Sequence, residues 1–219
     1  MTTELKPQTI QTDYLLIDGS GSMQDKWWDT LAAIQAYVDG VKAANIKSRV
    51  IAHTFDSNDK DCIQRDCDIA DWKSVLDEPI GAWWSSTPLY DAVTLMGRRM
   101  RDLDPPRASI VIVTDGEENC SQFTNLDQAK AILDWCRAKG WQVTFIGAEF
   151  NNWSQASKLG ATPQSSIGVQ QKKLADAAAA LAKKRAQYGM FGTPMHYSDD
   201  EKQQFGGYLN PPSGGSNAS

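Results

Sequence analysis

The chain has 219 residues, of which 41% are hydrophobic and 22% charged, close to ordinary globular usage; this excludes wholesale disorder and a membrane-protein composition. That length suits one α/β domain with a short appendage. A net charge of -5 argues against nucleic acid as the main partner, because binding a phosphate backbone needs a concentrated basic surface.

Met1 to Gln11 is polar and lacks the basic start, apolar run and small-residue cleavage site of a secretory signal, so a cytoplasmic protein with no membrane partner is expected. Tyr14 to Ile17 is a short apolar run ending in Asp18-Gly19-Ser20-Gly21-Ser22, as a buried parallel strand ends in a polar loop. Trp27, Leu31, Ile34, Val38 and Val41 then recur at three- and four-residue steps, one apolar stripe of a helix that packs on a sheet. Val50 to Phe55 reads as the second strand, and the alternation from Cys62 to Ile69 as a half-exposed edge strand. Thr87-Pro88 opens the next helix with a hydroxyl cap and a first-turn proline; Leu89, Val93, Met96, Met100 and Leu103 form its stripe, and Pro105-Pro106 stops it.

Ile110 to Val113, the most apolar stretch, exits into Thr114-Asp115-Gly116. A helix over 126–139, a strand over 143–147, a short helix over 154–159, a strand over 167–169 and a helix over 172–188 complete the alternation. The fold class is therefore α/β: a doubly wound, mostly parallel sheet with helices on both faces and ligands at the strand carboxyl ends. Three segments follow: an N-terminal extension 1–11, a domain 12–188, and a Gly/Pro/polar tail 189–219 expected to be flexible. Cys62, Cys67, Cys120 and Cys136 lack metal-ligand spacing and are expected as free thiols.

Asp18, Ser20 and Ser22 alternate in one turn, so three oxygens can converge above the sheet, and the intervening glycines permit that turn. Asp115 lies at the same end of another strand, and Thr87 stands at a helix start on that rim. Two carboxylates and three hydroxyls, without imidazole or thiolate, make an all-oxygen site for a hard divalent cation. Few charged ligands plus water suit magnesium best, with manganese or calcium as alternatives.

Asp-x-Ser-x-Ser at 18–22, Thr87-Pro88-Leu89-Tyr90-Asp91-Ala92 and Thr114-Asp115-Gly116 resemble, in order and roughly in spacing, the metal-ion-dependent adhesion site of von Willebrand factor A domains. The resemblance covers about residues 10–188. It implies a Rossmann-like sheet with one antiparallel edge strand and a cation held by Ser20, Ser22 and sometimes Thr87, with Asp18 and Asp115 acting directly or through water. It also implies that a partner's Asp or Glu completes the coordination. Bacterial proteins of this pattern work with MoxR-type ATPases or in other assemblies, so such a component is a partner class implied by the resemblance.

The competing reading of these residues is ordinary turn and cap chemistry. Enzyme readings fare worse. A dehalogenase-type phosphatase needs an Asp where Ser20 stands, a receiver domain needs paired acids after the first strand, and neither a Walker A lysine loop nor a GxSxG elbow is present. The expectation is a protein-binding module without catalysis of its own. The alternatives are a structural subunit that docks by its tail or sheet edge, and, behind it, a metal-dependent hydrolase. Around the site, Trp28 and Trp84 are candidate ligand-facing anchors, and Glu117 and Glu118 candidate ligand-binding acids. Lys172, Lys173, Lys183, Lys184 and Arg185 read as a solvated basic face of the last helix.

Overall fold

The computed structural model describes residues 10–57, 63–77, 85–115, 117–148 and 152–206. Among them, six strands form one sheet: β1 (Gln11–Asp18), β2 (Ser48–Phe55), β3 (Gln64–Asp68), β4 (Ala108–Val113), β5 (Gln142–Ala148) and β6 (Ser166–Val169). Their order is β3-β2-β1-β4-β5-β6, and every pairing is parallel except the antiparallel β2–β3 edge. The helices are α1 (Trp27–Ala43), α2 (Leu89–Leu103), α3 (Leu126–Ala138), α4 (Asn152–Lys158), α5 (Leu174–Phe191) and α6 (Asp199–Gln204). The expected fold class is the observed one.

The two-residue period of β1 separates its side chains between two cores. Leu15 and Ile17 pack with α1 and α5, whereas Tyr14 and Leu16 pack with α2, α3 and the end of α4. Burial on both faces explains why the central strands read as continuous apolar runs. The stripes expected on α1 and α2 are buried, with Leu103 only partly so. Each fully buried leucine or isoleucine in them contributes roughly 1.5 to 3 kcal/mol.

Helix α1 lies so close to α5 that a Cβ on Gly40 would sit 2.6 Å from Ala182 Cβ. The obstacle is anchored to backbone and has no rotamer to escape into. Gly40→Val is therefore expected to lose about 2 to 3 kcal/mol of unfolding free energy in urea, overpacking outweighing the gain in helix propensity. An unchanged urea midpoint would show that the two helices separate freely.

Three expectations need correction. Helix α2 begins at Leu89 with Pro88 before it and no side-chain cap from that residue, so Thr87 is not the cap. Its first amides are held from outside: Tyr90 N–H donates to Glu118 Oε2 at 2.9 Å, and the Tyr90 and Asp91 N–H groups each reach Ser121 Oγ at 3.1 Å. A carboxylate there also faces the positive end of the helix dipole.

Arg185 is not on a solvated face; it is fully buried. Finally, the tail through Gly206 is packed rather than loose. Met195, Tyr197 and Phe205 join the core with α5, Tyr197 Oη donates to Ala177 O at 2.9 Å, and Lys184 pairs with Glu201 at 2.8 Å. α5 itself runs beyond 188 to Phe191.

Candidate metal centre

The β1–β4 register aligns Ile17 with Val113, so the next residue on each strand, Asp18 and Thr114, meet at the carboxyl edge. Thr114 Oγ1 donates to Asp18 Oδ2 at 2.6 Å, and Ser20 N–H donates to Asp18 Oδ1 at 2.8 Å. Both oxygens of a fully buried carboxylate are thus fixed. Burial pushes Asp18 up to about 6, and the bonds from Ser20 and Thr114 pull against that rise. Such a group favours a counter-charge nearby.

In front of Asp18, Ser20 Oγ and Ser22 Oγ lie 3.3 Å apart, and Ser22 Oγ donates to Asp115 Oδ1 at 2.6 Å. The Asp115 side chain is only 2% exposed although it sits on a loop. Its second oxygen, Oδ2, accepts from Lys26 Nζ at 2.5 Å, and the same ammonium reaches Ser22 O at 3.3 Å.

The Thr87 loop is tied to this cluster through backbone. Ser20 and Ser85 form a parallel bridge, Gly21 N–H donates to Ser85 O at 2.8 Å, and Gly19 N–H donates to Phe55 O at 2.9 Å. Asn119 brackets Thr87: its side-chain oxygen accepts the Thr87 N–H at 2.8 Å, and its N–H donates to Thr87 O at 3.2 Å. Thr87 is buried in that clamp.

Asp18, Ser20, Ser22 and Asp115 are therefore joined by a chain of close contacts, with Thr87 fastened beside them. Among the described residues no group of three or more His, Cys, Asp or Glu gathers for a metal, so a cation here relies on hydroxyls as much as on carboxylates. That donor set fits a hard divalent ion: neutral oxygens in front, and carboxylates that balance its charge.

The flanking candidates divide. Trp28 projects from the first turn of α1 with 64% of its surface exposed, and Glu117 is exposed on the loop after Asp115. Glu118 is committed to the protein itself: besides Tyr90, it accepts from Cys120 N–H at 2.8 Å, Ser121 N–H at 2.6 Å and Ser121 Oγ at 2.7 Å. Trp84 lies outside the described residues, as does Cys62. Cys67, Cys120 and Cys136 are free thiols.

Sequence reasoning passed over Lys26 and Phe123, and gave Thr114 no role beyond its place in the Thr114-Asp115-Gly116 segment. A lysine in a turn looks like any solvated charge, and nothing local marks its partner 89 residues away. Phe123 is 87% exposed and forms the lip of a 460 Å³ cavity that reaches the site's rim at Ser57 and Pro88. The carboxylate of Asp91 holds that lip in place by accepting the Gln122 and Phe123 N–H groups at 2.7 and 3.1 Å.

No protein-family model and no curated protein matches the sequence. Solved structures do match in shape. The von Willebrand factor domain of the type V pili tip protein Mfa5 from Porphyromonas gingivalis superposes with a TM-score of 0.62 at 12% identity, over 89% of this chain and 100% of that one. Proximal thread matrix protein 1 from the mussel byssus, with a zinc-occupied MIDAS motif, gives 0.57 at 14%, over 81% of this chain and 46% of its own. Manganese-loaded TRAP protein of Plasmodium vivax gives 0.51 at 13%, over 77% and 71%. This chain thus spans about half the mussel protein's length. The likeness establishes a von Willebrand factor A-like fold. Among the described residues no helix is long and apolar enough to cross a membrane.

Proposed function

We propose that this chain is a metal-dependent protein-binding module, in which a divalent cation held by Ser20, Ser22 and Asp115, with Asp18 behind them and Thr87 beside, receives an acidic side chain from a protein partner. The observation that carries this reading is the chain of close contacts that joins Asp18, Ser20, Ser22 and Asp115 at the carboxyl edge of the sheet, with Ser22 exposed in front and Asp18 buried behind. The zinc-occupied MIDAS motif of the mussel protein and the manganese loading of the Plasmodium protein support a cation here. Magnesium is the best match to the donors, with manganese next. Trp28 and Phe123 supply exposed aromatic surface at the rim of the kind that anchors protein interfaces.

When bound, the cation would act as a Lewis acid toward the partner's carboxylate. The protein's own residues then have distinct tasks. Thr114 and the Ser20 amide hold Asp18 as a fixed charge behind the hydroxyls. Ser22 carries the outermost hydroxyl and contacts Asp115 directly. Asn119 and Glu118, on the third loop, hold the second in place by binding Thr87 and the start of α2, and the second is tied to the first by the Ser20–Ser85 bridge.

The reading of a structural subunit docking through its tail is weakened by residues 189–206, which pack on their own domain. Docking by the β3 edge is also disfavoured. Asp66 of that strand is paired with Arg49 at 2.5 Å and with Arg99, and charged side chains on an edge strand discourage pairing with another sheet.

Titration calorimetry with magnesium and manganese tests the proposal. The native protein is expected to bind one ion saturably. The Ser20→Ala/Ser22→Ala variant, still folded by near-ultraviolet circular dichroism, is expected to bind more than about a hundredfold more weakly, because it loses two direct donors. Equal binding by the two proteins would place the cation elsewhere and end this reading.

A further inference from the structure

Lys26 closes the short 3-10 turn Gly21–Lys26 that leads from the first metal loop into α1. Its side chain is only 14% exposed, unusual for a lysine, and its ammonium is folded back onto the site rather than out into water. There it touches Asp115 Oδ2 at 2.5 Å and Ser22 O at 3.3 Å, while Ser22 Oγ holds the other Asp115 oxygen at 2.6 Å. The ammonium therefore satisfies the very carboxylate and the very residue that a divalent cation would use. Three donor hydrogens and one positive charge make it a fair substitute for an ion coordinated by oxygens.

Building on the metal-binding reading above, we propose that Lys26 is a tethered counter-ion that competes with the divalent cation for Asp115, so that capture of a metal requires the ammonium to let go. If both cations shared Asp115, a monovalent and a divalent charge would sit within one carboxylate's reach, beside a side chain that is only 2% exposed, where little water lies between them to screen their repulsion. The lysine thus sets a threshold on metal affinity. An acidic group arriving from a partner lowers that threshold, because its negative charge offsets the excess positive charge once the metal is in place. Lys26 is a positioning residue in this scheme.

Binding of Mn2+, followed by loss of the free-ion electron paramagnetic resonance signal, tests the competition in the full chain. The proteins are wild type, Lys26→Met, Lys26→Gln, Lys26→Arg and the Ser20→Ala/Ser22→Ala variant. Lys26→Met keeps the aliphatic stem without the charge, and Lys26→Gln is the second neutral form should methionine perturb the fold; urea unfolding in chelator confirms that each is native. Removal of the charge is expected to tighten Mn2+ binding roughly tenfold or more, with Lys26→Arg close to wild type.

Neutral variants that bind Mn2+ no more tightly than wild type overturn the competition. If wild-type binding is at the same time lost in the double serine variant, the metal site itself stands. Absence of Mn2+ binding in wild type and both neutral variants overturns the competition and the metal-binding reading together.

Discussion

Replacing Arg185 by alanine is expected to lower the unfolding free energy by about 3 to 5 kcal/mol and the melting temperature by roughly 10 °C, although residue 185 lies at the opposite end of the sheet from the candidate metal centre. The cause is the polar cluster under the amino end of the sheet. Arg185 Nε and Nη2 reach the two Asp13 oxygens at 2.6 and 3.0 Å, and Nη1 reaches Gln11 Oε1 at 2.7 Å, with both charged side chains essentially without solvent contact. Asp13 also accepts from Tyr37 Oη at 2.8 Å and from Ser48 Oγ, and Tyr37 contacts Ser109 at 2.9 Å.

Deleting the guanidinium leaves a buried carboxylate facing only hydroxyls, which is the expensive event. Removing both charges, as Asp13→Leu/Arg185→Met, is expected to cost well below the sum of the single losses, with a coupling of about 2 kcal/mol in urea titrations. Additive single losses would mean that the two groups are not an interacting pair.

The second large effect has the opposite sign. Asp18→Asn is expected to stabilise the protein in chelator by about 3 kcal/mol at pH 8 and to leave it unchanged near pH 4. Burial raises Asp18 from 3.8 to about 6 in the fold. A carboxyl raised on folding stabilises the native state while it is protonated; that contribution is complete below about pH 4 and is lost as the pH climbs through 6. Asparagine keeps an oxygen for the Ser20 amide and a polar group for Thr114 without carrying the charge. With Mn2+ present the order reverses, because only the wild type gains the binding free energy of the ion. Urea midpoints at the two pH values, with chelator and with Mn2+, check both halves. A variant less stable than wild type at pH 8 in chelator contradicts the assignment of Asp18 as a strained, buried charge.

These two acids illustrate what a sequence discloses. Asp18 was legible because a parallel strand buried on both faces is an unbroken apolar run, and its polar exit is conspicuous. Small residues at fixed spacing then identified Ser20, Ser22 and Asp115, since few other patterns place oxygens around one point. Asp13 and Arg185 were not legible as partners. They are 172 residues apart, and Arg185 follows two lysines on a helix where charge ordinarily means solvent.

The internal bonds of Glu118 were not legible for a related reason. An acid beside a metal loop looks like a ligand, and its use in holding the α2 amides depends on the packing of two loops distant in sequence. The tail from Gly189 carries its apolar anchors at Met195, Tyr197 and Phe205, too irregular for any period to reveal them.

That packed tail also gives the domain a polarity. Ile10 enters at the amino end of β1, beside the cluster of Asp13 and Arg185, opposite the loops that carry Ser22 and Asp115. The chain returns along α5 and climbs back, so that Phe205 O accepts from Gln170 N–H at 3.1 Å just past the carboxyl end of β6. The backbone therefore enters on one side of the sheet and reaches Gly206 on the side that presents Trp28 and Ser22. The loops that carry Ser22 and Asp115 face away from the end at which the described backbone begins. At Gly206 the described backbone is on the same side as those loops, so bulk placed there would crowd them. For immobilised binding assays, the amino-terminal attachment is the one that leaves the loops open.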